Sequence, residues 1–207
     1  QDLTVTARGV VQGGSIGIRS PLYSAGNHTI NAYNAAGTAS VTGGIGISAT
    51  SRSSTGALTI TTTAVTGTNL AGIFVDDRTI SGSTTINASG PVSGFRDGIN
   101  VNSISRGDVS VDATNMAGTN TVTGGQYGIF VSSSNGGTLA IRANNVEGTA
   151  FTGIRTLQGI GTGALSVTTT GTVTGGMRGI LATTEGRGDA VINRHGLWRG
   201  ERHPEGH

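Results

Sequence analysis

The chain has 207 residues, of which 37 are Gly, 32 Thr and 19 Ser, with no Cys and no Lys. Charged residues make up 12%, about half the roughly 25% usual in globular proteins, and the formal charge is only +2. This excludes a disulfide framework, a thiolate metal site and a Cys nucleophile, and leaves too little scattered positive charge for a nucleic-acid partner. No run of about 18 apolar residues occurs, so no membrane-spanning helix is predicted. The chain opens on Gln1 with no basic-then-apolar leader, which places any signal peptide outside this stretch.

Taken in chain order, three short motifs recur. The first is an apolar-x-apolar pair at Leu3/Val5, Leu58/Ile60, Val109/Val111, Leu139/Ile141 and Leu165/Val167, with Ile30, Ile86 and Ile192 as less regular members. The second is a lone Val, usually beside Thr or Ser and followed by Gly: Val11, Val41, Val65, Val92, Val122, Val146 and Val173. The third is Gly-Ile, at Gly17-Ile18, Gly46-Ile47, Gly72-Ile73, Gly98-Ile99, Gly128-Ile129, Gly153-Ile154 and Gly179-Ile180. Its steps are 29, 26, 26, 30, 25 and 26 residues, a mean of 27. Polar loops separate the units, the longer ones at 19–29, 48–57 and 132–138.

A period of this length marks a solenoid, propeller or array. Helical repeats need ten or more residues at 3.6 spacing, which are absent, and a propeller blade needs about 40 residues. Three strands of two to four residues fit one coil of a parallel β-helix. The fold class expected is therefore all-β, a right-handed parallel β-helix of about seven coils. Each strand would pair with its equivalent about 4.8 Å above and below, so that the isoleucines form one internal column and the valines another. Gly at the corners would supply positive φ and avoid a Cβ clash. The rod would be about 34 Å long.

A longer period overlies the first. The Val5 series steps by 25, 30, 26, 25, 30, 26 and 25, a three-coil cycle of 81 residues. Ala32-x-Asn34-x-Ala36-Gly37-Thr38-x-x-Val41-Thr42-Gly43-Gly44 matches Ala113-x-Asn115-x-Ala117-Gly118-Thr119-x-x-Val122-Thr123-Gly124-Gly125, which points to duplication of a three-coil block. The code stops at Asn193. Residues 1–193 are expected to form the β-helix, and 194–207 a tail foreign to it. Three of the four His lie in that tail (His195, His203, His207), with no rigid element to make them a metal site.

Val122-Thr123-Gly124-Gly125-Gln126-Tyr127-Gly128-Ile129-Phe130-Val131 and Val173-Thr174-Gly175-Gly176-Met177-Arg178-Gly179-Ile180-Leu181-Ala182 resemble the passenger repeats of bacterial autotransporters, as does Leu165-Ser166-Val167-Thr168-Thr169-Thr170-Gly171. The resemblance covers residues 1–193. It implies a passenger exported through an outer-membrane β-barrel elsewhere in the full-length protein and displayed at the cell surface or released outside the cell. It also implies a host or neighbouring-cell surface as partner. The alternating strands and aromatic girdles of such a barrel do not occur in this stretch. Uncapped ends add end-to-end self-association as an expectation.

The chemistry-bearing residues are sparse. Asp76 and Asp97 sit on adjacent coils, near enough in the repeat to approach across a loop, with Arg78 and Arg96 beside them; solvated ion pairs are the simpler reading. His28 has no partner of the right kind for catalysis at comparable register, and no Ser-His-Asp set, Walker motif, dinucleotide fingerprint or calcium nonapeptide assembles. The chain is read as no enzyme, with no cofactor, against the alternative of a polysaccharide-acting β-helix enzyme. Outward Thr pairs raise a second alternative, an ice-binding solenoid, but Asp112 and Arg142 interrupt that ladder. Arg106-Gly107-Asp108 and Arg187-Gly188-Asp189 resemble an integrin-recognition tripeptide and are the candidate adhesion motifs. Phe74 and Phe130 share an outward position with Asn100 between them.

Overall fold

The computed structural model describes residues 1–52, 55–135, 137–161 and 163–194. Every coil contributes one strand to each of three parallel sheets, beginning with Leu3–Thr6, Val10–Gln12 and Ile16–Leu22. Sheet A stacks eight strands, and sheets B and C stack seven each, in strict coil order. The predicted β-solenoid of about seven coils is what the sequence forms. No described helix is long and apolar enough to cross a membrane.

The register follows the three sequence columns. In sheet A, Val5, Ile30, Ile60, Ile86, Val111, Ile141, Val167 and Ile192 stand on one another. In sheet B the seven valines do the same. In sheet C the seven isoleucines do. β-branched side chains suit this pleated wall, and burying each one contributes about 1.5–3 kcal/mol. Ile47, Ile73, Ile99, Ile129 and Ile154 are fully buried, whereas Ile192 on the last described strand is 45% exposed.

Of the two purposes expected of glycine, avoidance of a Cβ clash is common and positive φ is not. Among the described glycines only Gly26, Gly37 and Gly118 have positive φ. The Gly of Gly-Ile is needed for close approach. A Cβ on Gly98 would lie 2.6 Å from Val122 Cγ1 and 2.6 Å from Gly128 O, so the Val column of one coil occupies the space that a side chain of the coil below would fill. Gly37 and Gly118, at φ 68° and 67°, close equivalent turns. In each, the Asn three residues earlier binds the backbone beyond the turn: Thr38 N donates to Asn34 Oδ1 and Thr119 N to Asn115 Oδ1, both at 2.9 Å. The 81-residue repeat is thus a repeat of structure as well as of letters.

Sheet C strands are seven residues long, not two to four. The expected loops 19–29, 48–57 and 132–138 shrink accordingly, because Ile16–Leu22, Ile45–Ser51 and Tyr127–Ser133 are strands. Their second halves escaped prediction because the inward column there is polar: Ser51, Asp77, Ser103, Ser133 and Gln158 are all buried. Asp77 is held by hydrogen bonds donated by Thr84 Oγ1 (2.7 Å), Ser103 Oγ (3.3 Å) and Thr79 N (3.0 Å). The last strand, Ala190–Arg194, runs one residue past the expected boundary. The rest of the expected tail, with its three His, lies outside the described residues.

Candidate functional site

Alternation along sheet C sends every second side chain outward. The outer column beside the isoleucines reads Arg19, Ser48, Phe74, Asn100, Phe130, Arg155 and Leu181. Around Phe130 this face changes character. Tyr127, two coils below Arg178 in the first strand position, packs on Phe130 with ring centroids 5.4 Å apart and on Phe151 at 5.7 Å. The guanidinium of Arg155 lies over both the Tyr127 and Phe130 rings, at 5.6 and 5.8 Å, and its Nη1 donates to the Tyr127 hydroxyl at 2.9 Å. Such cation–π placement adds about 0.5–2 kcal/mol.

Below the rings runs a polar rail. Asn102 Nδ2 donates to Asn100 Oδ1 (2.9 Å), Asn100 Nδ2 to Asp97 Oδ2 (2.6 Å), and Arg96 Nε to the same Asp97 oxygen (3.0 Å). Asp97 is 1% exposed, and its Oδ1 has no partner among the described residues. Beyond the rings the strands Tyr127–Ser133 and Thr152–Gln158 open into a groove of about 430 Å³ that includes Ser132, Asn135, Leu157, Thr183 and Glu185. Ser133 and Gln158 also line it; both are buried, and Ser133 Oγ and Gln158 Oε1 lack partners among the described residues.

Phe74 and Phe130 do share an outward position with Asn100 between them, but the cluster around Phe130 was not foreseen from the sequence. The Phe130-to-Arg155 step of 25 residues is a coil length, and carrying the register outward would have placed Arg155 on Phe130.

Asp76 and Asp97 do not approach each other. Asp97 stands over Ala71, and Asp76 lies five residues further along that strand, about 16 Å away at the rise of an extended chain. That is far outside the spacing of a glycosidase carboxylate pair, about 5–9.5 Å. Each carboxylate instead pairs with its own neighbour, Asp76 with Arg78 and Asp97 with Arg96, both at 3.0 Å. His28 Nε2 shares a hydrogen bond of 2.7 Å with Ser20 Oγ. Both are buried among apolar columns, His28 between Leu3 and Leu58. His28 Nδ1 is unpartnered, and burial lowers its pKa, so the pair is interior packing rather than an accessible nucleophile.

The two Arg-Gly-Asp tripeptides lie on the same edge, each just before a sheet A strand, Val109–Ala113 and Ala190–Arg194. Arg106, Asp108, Arg187 and Asp189 are exposed, and Gly107 and Gly188 half-buried. Asp108 also ties one coil to the next, because Thr138 N, one coil on, donates to its Oδ1 at 2.8 Å. Asp2 accepts from Asn27 N (2.7 Å) and Asn27 Oδ1 from Ala57 N (3.2 Å) at the equivalent position, so Asp or Asn there staples successive coils. The outward Thr pairs of sheet A are in register as expected, and Asp112 stands against Arg142 within that ladder. Among the described residues no group of three or more His, Cys, Asp and Glu is placed to hold a metal.

No protein-family model matches the sequence, no curated protein matches it, and no solved structure matches the chain.

Proposed function

We propose that the chain is a non-enzymatic passenger segment of the autotransporter type, carried at the cell surface or outside the cell, whose role is structural and adhesive. Its mechanism is extension. A stiff stack of coils holds outer faces and corner loops away from the cell, where they meet a host or neighbouring cell. The observation that carries this reading is the division of labour within each coil. The apolar column from Val5 to Ile192 repeats without interruption, while aromatic and charged residues gather on one outer face. The about 16 Å between Asp76 and Asp97 supports the non-enzymatic part.

The test is to display the chain on a non-adherent bacterium, between an export leader and an outer-membrane barrel, with the barrel alone as control. Display is verified by surface proteolysis. Adhesion to epithelial cells or clumping of the bacteria is expected to rise severalfold over the control. Verified display with no gain in either overturns the proposal, and hydrolysis of a polysaccharide by the purified chain would favour the enzyme instead.

A further inference from the structure

We infer that the outer face of sheet C around Tyr127 binds an acidic glycan, its sugar rings lying against Tyr127, Phe130 and Phe151 and its carboxylate paired with Arg155. The inference rests on the adhesive reading and names the class of molecule to which the rod adheres.

Charge is the first argument. Arg96, Arg155 and Arg178 surround the ring cluster: Arg96 adjoins Asp97, over which Tyr127 stands, and Arg178 follows Tyr127 and Thr152 in register. The single carboxylate among them, Asp97, is buried and bound to Arg96. Among the described residues Arg155 has no carboxylate within ion-pair reach; it contacts only π faces and a phenol oxygen, and its Nε is buried without a partner. A guanidinium held over two rings and by the Tyr127 hydroxyl is pre-oriented for a carboxylate, a partner that suits the planar Arg fork.

Shape and polarity choose among anions. A nucleic acid demands many phosphate contacts, and a chain of net charge +2 does not supply them. An extended peptide joins a sheet through an open edge, but Asp97–Ser103, Tyr127–Ser133 and Thr152–Gln158 are each paired on both sides. What the face offers is a cluster of tilted aromatic rings followed by an amide and hydroxyls. Asn102, Ser132 and Thr183 hold outward positions in one register with Leu157, and Asn102 Oδ1 has no protein partner among the described residues; the groove's carboxylate, Glu185, lies past them. Sugar hydroxyls both donate and accept, and such a row satisfies them. From Tyr127 to Ser133 the strand runs about 20 Å, room for several sugars laid along it.

The experiment is calorimetric titration of the chain at physiological salt with a linear oligogalacturonate and a sialylated oligosaccharide, beside their neutral methyl esters. At least one acid is expected to bind about tenfold more tightly than its ester, and Arg155→Gln to remove about tenfold of that affinity. Tyr127→Ala is expected to weaken acid and ester alike, and Arg142→Gln on sheet A to change nothing. Circular dichroism confirms that each variant is folded. Failure of both acids to bind, equal binding of acid and ester, or wild-type affinity in Arg155→Gln overturns the inference. A displayed chain that still adheres to cells after such a failure leaves the adhesive reading standing without its glycan; loss of adhesion removes both.

Discussion

On the inner face of sheet C, Ile18, Ile47, Ile73, Ile99, Ile129, Ile154 and Ile180 stand one above another; one residue along, on the outer face, the same strands show Arg19, Ser48, Phe74, Asn100, Phe130, Arg155 and Leu181. Both columns have the same backbone, pairing and spacing. The inner side must repeat because each side chain is the floor of the next coil. The outer side meets solvent, where Ser or Thr would serve in every coil. Three clustered rings, two of them beneath a guanidinium, are therefore not required by the stack, and their concentration around Tyr127 calls for a cause other than folding.

The largest test of that difference is Ile99→Ala. Ile99 is fully buried at the middle of the stack, so its truncation is expected to cost about 2–5 kcal/mol in urea unfolding. Phe74→Thr, on the outer face one coil below, is expected to cost about 1 kcal/mol or less. Equal costs would break the comparison.

Next in size is Gly98→Ala. The added methyl meets Val122 Cγ1 and the Gly128 carbonyl, and overpacking of this kind costs about 1–3 kcal/mol. Val122→Ala in the same chain is expected to recover part of the loss, because the carbonyl contact remains. Gly14, with nothing within 4 Å of its Cβ position, is expected to accept Ala without measurable loss. A Gly98→Ala protein as stable as the parent would show that the Gly-Ile motif has another origin.

His28, like Thr84, is a buried polar residue in the Leu3 and Leu58 column. Its pKa is lowered by desolvation, so below its ordinary value of 6.5 the unfolded chain binds the proton more readily than the folded one. Stability contributed by the neutral ring is complete above that pH and falls as the pH drops toward the folded value. His28→Leu continues the Leu3 and Leu58 column and is expected to flatten stability between neutral pH and about pH 5. Unfolding midpoints measured across that range check it; identical slopes in parent and variant would remove His28 as the source.

The columns were readable in the sequence because side chains that repeat at coil spacing are those that touch each other. Val122 and Ile129 announce themselves; Ser103 and Gln158 do not, since a buried polar residue looks like a loop until its partners are known. The site was hidden for the opposite reason. Tyr127, Phe151 and Arg155 lie 24 and four residues apart in the chain, and only the outer register joins them. The need for Gly at Gly-Ile was visible, but its cause, the methyl of a Val in the next coil, belongs to packing rather than to local conformation.

The smallest effect on stability separates folding from adhesion most cleanly. Asp108 accepts a hydrogen bond from Thr138 N, and Asn27 does the same for Ala57 N through an amide oxygen. Asp108→Asn therefore keeps the staple and is expected to change stability by about 0.5 kcal/mol or less, whereas Asp108→Ala loses a hydrogen bond worth about 0.5–1.5 kcal/mol. Any receptor that requires the carboxylate of Arg106-Gly107-Asp108 distinguishes Asp from Asn, while the fold does not. If the tripeptide serves only the stack, a displayed Asp108→Asn chain adheres to cells as the parent does. Adhesion lost at unchanged stability would move Asp108 from the staple to the contact surface.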